Sequence, residues 1–213
     1  MKRRLFLRLT NKERETFRRT RDVVLGVSSY RSAVMTLCDS DLVNRLCLES
    51  LMETQLRRIS VNLRQISRRL NSSGGSDEAV LAVCDVLDPL VDVFSEEVSC
   101  LRSGGADGNC CRMELTVRMT AEEKAVVSAV KRALRFRNYR SLVLGLCSVV
   151  ENRIMPPDFN MDYQKLKEYG ADINTIAKSL NSGSRINSEH LSQFLAGFIQ
   201  VLSAISMKIM EGR

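Results

Sequence analysis

Near the start of the chain Arg4, Phe6 and Arg8 alternate with Leu5, Leu7 and Leu9. About 110 residues later Glu114, Thr116 and Arg118 alternate with Leu115, Val117 and Met119. The polar members of these rows suit recognition chemistry. A guanidinium is a rigid fork of donors that meets two adjacent acceptors at once, on a carboxylate, a phosphate or the O6/N7 edge of guanine. Thr116 donates, accepts or presents a methyl, Phe6 offers an apolar face suited to a thymine methyl, and Glu114 accepts from a cytosine amine or repels phosphate. Charged rows also protect strand edges from aggregation. Recognition is favoured because Arg8 and Arg118 hold matched places, each two residues before a threonine with the features of a helix cap.

Catalysis has no comparable footing. The single histidine, His190, has no partner at metal-ligand spacing, and the seven cysteines include no CxxC pair. No Gly-rich phosphate loop, Ser/His/Asp set or paired-carboxylate motif is visible. The expectation is therefore a non-enzyme with no catalytic residues, no metal site and no cofactor. Cys38, Cys47, Cys84 and Cys147 fall inside apolar helical patterns and are read as reduced, buried thiols, whereas Cys110 and Cys111 stand at a linker end. The tyrosines, Tyr30, Tyr139, Tyr163 and Tyr169, mostly sit on apolar stripes and are read as core.

The elements that would position the two rows occur twice. Thr10-x-x-Glu13 corresponds to Thr120-x-x-Glu123, Tyr30-Arg31-Ser32 to Tyr139-Arg140-Ser141, Leu37-Cys38 to Leu146-Cys147, and residues 62–71 (NLRQISRRLN) to residues 172–181 (DINTIAKSLN). Five matches in one order, the strands included, make a duplication. The offset falls by one residue before Tyr30, a loss assigned to the turn between the first two helices. Each copy reads as a short strand of period two, then a helix begun by a capping box at Thr10 or Thr120. That helix ends near Gly26 in the first copy and Phe136 in the second. A second helix carries its apolar stripe on Tyr30, Ala33, Val34, Leu37 and Cys38, or on Tyr139, Leu142, Val143, Leu146 and Cys147.

A third helix follows, with Leu56, Ile59, Leu63, Ile66 and Leu70 in one copy and Leu166, Tyr169, Ile173, Ile176 and Leu180 in the other. Residues 39–41 and the pair Pro156-Pro157 mark the breaks before it. A fourth helix closes each copy, at about 77–101 and 188–210, the first carrying Pro89, where a kink is expected. The Gly-rich stretch 102–110 reads as a linker. No stretch is read as reaching the roughly 18 uncharged apolar residues of a membrane span, so the expectation is a cytoplasmic protein with no membrane partner.

Charge follows the repeat. Residues 1–72 hold 16 Lys/Arg against 7 Asp/Glu and residues 111–185 hold 13 against 8, whereas 73–110 hold 1 against 8. A basic surplus concentrates polyanions. A lone strand of seven residues leaves its backbone unpaired, so the two strands are expected to pair antiparallel within one chain and wrap their helices around one core. A two-stranded ribbon fits the DNA major groove. Its inward leucines would then join the core while Arg4, Phe6, Arg8, Thr116 and Arg118 face base edges. The second helices start at Ser28-Ser29 and Arg137-Asn138, where exposed N–H groups favour phosphate. Ser28, Ser29, Arg31, Asn138 and Arg140 are therefore the expected phosphate contacts. Because one strand carries Arg/Phe/Arg and the other Glu/Thr/Arg, the DNA site is expected to be asymmetric.

The strand, cap and two helices resemble the ribbon-helix-helix repressors and relaxosome accessory proteins. Residues 62–71 and 172–181 are similar to the N-L-N-Q-I-A-x-x-L-N signature of the MobC/NikA-type mobilisation proteins, and the tandem single-chain form is like that of the TraY-like accessory proteins. The resemblance covers residues 4–72 and 114–182; Arg64 and Asp172 depart from the signature. It implies a mainly α fold with a short two-stranded antiparallel ribbon, a tandem ribbon-helix-helix pseudo-dimer with two C-terminal helical hairpins. The expected division is 1–50 and 111–155 for the ribbon-helix-helix copies, 51–101 and 156–213 for the hairpins and 102–110 for the linker. The implied function is sequence-specific binding of double-stranded DNA at a conjugative transfer origin, where a relaxosome accessory protein deforms DNA near the nick and seats the relaxase. Relaxase and coupling protein are the implied partners of a monomeric pseudo-dimer able to multimerise on DNA. A relaxase of the common type needs a histidine cluster that one histidine does not supply. The alternative is a repressor or antitoxin with the same DNA-binding head, acting on its own operon. A helical adaptor for acidic protein is the third reading.

Overall fold

The computed structural model describes residues 3–103, 113–152, 157–184 and 186–211. It is mainly helical, with eight α-helices and one two-stranded antiparallel sheet among the described residues. Strand β1 (Arg3–Leu9) leads into α1 (Asn11–Arg19), which continues as a single π-helical stretch, Thr20–Val24. Then come α2 (Tyr30–Leu37), α3 (Ser40–Ser72) and α4 (Glu78–Ser103). The second half repeats the order with β2 (Met113–Met119), α5 (Ala121–Ala133), α6 (Tyr139–Glu151), α7 (Asn160–Asn181) and α8 (Ser188–Glu211). Cys110, Cys111 and most of the expected linker lie outside the described residues.

Two compact units result, each drawn from both halves of the chain: residues 1–47 with 97–156, and residues 48–96 with 157–213. In the first, Leu5, Leu7, Leu9, Val117 and Met119 form the buried side of the ribbon, against Phe17, Val34, Leu37, Val127, Leu142 and Leu146. In the second, Met52, Leu56, Ile59, Leu63 and Ile66 of α3 share a core with Phe94, Phe159, Leu166, Ile173 and Phe198. The signature segments 62–71 and 172–181 thus bury their apolar positions in this second core. Their ends also meet, Arg69 Nε donating to Asn181 Oδ1 at 2.8 Å. Asn71 does something else, donating to Asp77 Oδ2 at 2.8 Å and closing the turn into α4.

Three boundaries differ from those read in the sequence. Helix α3 runs through positions 50 and 51 without interruption, because residues 40–72 contain neither glycine nor proline to break it. It begins at Ser40, the break expected near residues 39–41. Helix α4 likewise runs past position 101 to Ser103, with Pro89 inside it. The third difference is the extra residue of the first copy. It does not lengthen the turn after the first helix but is absorbed inside that helix, where the Leu25 N–H reaches back five residues to the Thr20 carbonyl at 2.9 Å. A π-helical turn is the way an α-helix takes in one residue without losing its bonding or its face. Downstream of it Gly26 (φ 63°) and its counterpart Arg135 (φ 58°) both turn the chain left-handed.

Helix α8 departs from the expectation that no stretch is long and apolar enough to span a membrane. By length and composition it is long and apolar enough to cross a membrane, since residues 191–207 carry no charge. Its stripe from Leu191 through Phe198 to Ile209 is buried in the second core, and Ser192, Gln193, Gln200 and Ser203 face outward.

Candidate nucleic-acid interface

The two strands pair over their full length, with Leu5 opposite Val117 and Leu7 opposite Leu115 on the side that meets the core. On the outer side Arg4 faces Arg118, Phe6 faces Thr116 and Arg8 faces Glu114. Phe6 and Thr116 occupy the same place in the repeat, so the ladder is centred on them. This register puts two arginines abreast at one end and an arginine against a glutamate at the other. All six side chains are exposed, Phe6 at 53%. Arg4, Arg8 and Arg118 make no ion pair among the described residues. Three guanidiniums and a phenyl ring therefore stand open on one narrow face, with a single carboxylate among them.

The ribbon is held from the sides by the opposite copy. Lys124 of α5 donates to the Arg4 carbonyl at 2.9 Å, and Arg14, its counterpart in α1, lies 4.0 Å from the Met113 sulfur. Both capping boxes form as expected: Thr10 N–H donates to Glu13 at 2.9 Å and Thr120 N–H to Glu123 at 2.7 Å. Each box glutamate then has a second task that the sequence reading missed. Arg31 of α2 grips Glu123 with Nε at 2.9 and 3.0 Å, and Arg140 of α6 grips Glu13 with Nε at 3.0 Å. The paired recurrence of Arg31 with Arg140, and of Glu13 with Glu123, was the available signal.

The phosphate set is accordingly rearranged. Arg140 is committed to Glu13 with only 14% of its side chain exposed, and Arg31 is committed to Glu123 with 51% exposed. The structure gives both guanidiniums a carboxylate where a phosphate was expected, because each capping carboxylate lies at the start of the facing helix. Ser29 and Asn138 do cap α2 and α6, as the sequence indicated. Their oxygens accept the Ser32 N–H at 3.0 Å and the Ser141 N–H at 2.8 Å, taking a donor that a phosphate would use. Ser28 is exposed just ahead of the first cap.

Titration follows the same contacts. Burial pushes the Glu13 carboxyl upward, but the Arg140 guanidinium and the Thr10 N–H outweigh it, so its pKa falls below the usual 4.5. The Arg31 guanidinium, with the Thr120 N–H, lowers Glu123 as well. Burial raises the Cys38 and Cys147 thiols to about 12, which leaves them protonated core residues. No group of three or more His, Cys, Asp or Glu that could hold a metal occurs among the described residues.

No known protein family, no characterised protein and no solved structure matches this chain.

Proposed function

We propose that this chain is a tandem ribbon-helix-helix pseudo-dimer that binds duplex DNA sequence-specifically, with the outer face of the β1–β2 ribbon as its reader. One observation supports this above the others: the exposed face of a two-stranded ribbon carries three arginines with no carboxylate bound to them, centred on Phe6 and Thr116. A ribbon of this width enters the major groove, and guanidiniums read guanine there. The charge distribution agrees, since the unit bearing the ribbon holds 21 Lys/Arg against 11 Asp/Glu.

The register gives the reader a direction. Arg4 and Arg118 form its guanine-reading end, and Arg8 with Glu114 forms an end suited to a G·C pair read from both bases. The similarity of residues 62–71 and 172–181 to the mobilisation-protein signature supports a conjugative transfer origin as the site of action, with a relaxase as the recruited partner. Footprinting over the transfer-origin region and the chain's own promoter tests both parts. Arg4→Ala and Arg118→Ala are expected to weaken protection at one end of an asymmetric site by about 1–3 kcal/mol each, with Arg8→Ala acting at the other end. Protection of the promoter alone moves the protein to the repressor reading. Unchanged footprints in all three variants would remove the ribbon as reader.

A further inference from the structure

The second unit differs from the first in charge, holding 11 Lys/Arg against 14 Asp/Glu, so it is not a general surface for polyanions. Its charges are nevertheless sorted. Between α3 and α7 lies a groove of about 620 Å³, lined among others by Arg58, Val61, Asn62, Lys167, Ala171 and Asn174. The two helices approach closely because position 170 is glycine: a Cβ there would collide with Gln55 Nε2, which donates to the Leu166 carbonyl at 3.3 Å. Arg58 makes no ion pair among the described residues, and Lys167 lies over its own helix's Tyr163 ring at 5.9 Å. Val61, at the groove, is 56% exposed. Cations, amides and an open apolar side chain are thus presented together.

Helix α4 carries the complementary pattern. Glu78, Asp85, Asp92 and Glu96, at spacings of 7, 7 and 4, fall on one exposed strip of this helix. None of the four makes an ion pair among the described residues. Leu81, 49% exposed, lies beside the first two.

We propose that the α3–α7 groove of one molecule takes the acidic strip of α4 from a second copy of this chain. The carboxylates of Asp85 and Glu96 answer Arg58 and Lys167, and Leu81 covers Val61 and Ala171. A nucleic-acid backbone would answer the cations but would be repelled by the unit's net negative charge and would leave Val61 in water. Groove and strip adjoin, since Asp92 of the strip borders a pocket shared with Arg57 and Val61 of the groove. Two copies related by a twofold axis can therefore exchange strip for groove on both sides and close as a pair. This inference stands apart from the DNA reading, because its test contains no DNA.

The experiment is sedimentation velocity on the full chain up to about 100 μM, a range in which weak association is visible, at about 50 mM and about 500 mM salt. The wild-type chain is expected to form a dimer at low salt and to return to monomer at high salt. Arg58→Glu with Lys167→Glu, and separately Asp85→Lys with Glu96→Lys, should each weaken association at least about a hundredfold, since each places like charges together. All four positions are exposed, and circular dichroism checks that each variant folds. The decisive arm is an equimolar mixture of the two variants. Its native groove meets a native strip and its reversed groove meets a reversed strip, opposite charges facing at both joints, so association is expected to return as a 1:1 dimer. A wild-type chain that stays monomeric at low salt, variants that associate like the wild type, or a mixture that yields no dimer would each overturn the proposal.

Discussion

The two strand–helix–helix segments of the first unit are the same device built to different tolerances. Two sets of contacts exchanged between the copies are kept: Arg31 holds Glu123 as Arg140 holds Glu13, and Lys124 reaches β1 as Arg14 reaches β2. A third, from Thr20 to Glu151 at 2.9 Å, is made one way only, since Val130 stands at the place of Thr20. Among the contacts inside each copy, both capping boxes are kept, but the end of the first helix has diverged. The first copy carries a π-helical stretch and a left-handed glycine; the second has plain α-helix and a left-handed Arg135. The paired arginine–glutamate contacts tie the two copies together, and the end of the first helix is where they differ most.

Deletions in the first helices should separate the two copies most strongly. Removing Val126 from α5 turns every following residue by about 100°, which takes Val127 and Val130 off the core, a loss of about 4 kcal/mol or more in urea unfolding. Removing the exposed Val23 should only convert the π stretch to α-helix, at a cost under about 1 kcal/mol. Equal costs would show that the stretch is not where the extra residue is absorbed.

The exchanged ion pairs come next. Arg140→Met strands a carboxylate that is 7% exposed and should cost about 3 kcal/mol. Arg31→Met removes the counterpart from an open site, and its unfolding midpoint should stay near that of the wild type. Titration sharpens the contrast. The Glu13 pKa is lowered in the folded state, so its contribution is present above pH 4.5 and lost as pH falls through the folded value. The gap between wild type and Arg140→Met should therefore narrow as pH falls below about 5, measured by unfolding at each pH. A gap constant with pH would refute the assigned pair.

The smallest effects lie at the left-handed positions. Arg135→Gly relieves a conformation that costs an L-residue about 1 kcal/mol and should raise stability by that amount. Gly26→Ala should lower it by a similar step, although open space surrounds the position. Thermal unfolding of the two variants gives both signs.

Much of this arrangement was legible in the residues. The period-two rows, both capping boxes and the stripes of α2, α3 and α6 are short-range signals with fixed spacing, and each falls where that spacing put it. The outward ribbon residues were legible for the same reason. What escaped were events decided across space. Nothing local to Arg140 says that the facing helix begins with Glu13, and a basic residue at a helix start reads equally well as a phosphate ligand. The π stretch was hidden because a one-residue excess looks the same in a turn as in a helix. The boundary expected at 50/51 lies near the 47/48 division of the units but falls inside one continuous helix, since a unit limit need not coincide with a helix end.

The interleaving of the units has a consequence for synthesis. Leu7 pairs with Leu115, so the first strand leaves the ribosome about a hundred residues before its partner exists. At roughly 5–20 residues per second that is a wait of about 5–20 s, during which three leucines on an unpaired edge stand open to chaperones or to other nascent chains. Output of this protein should therefore depend more on translation speed through residues 10–112 than on the final stability of either core.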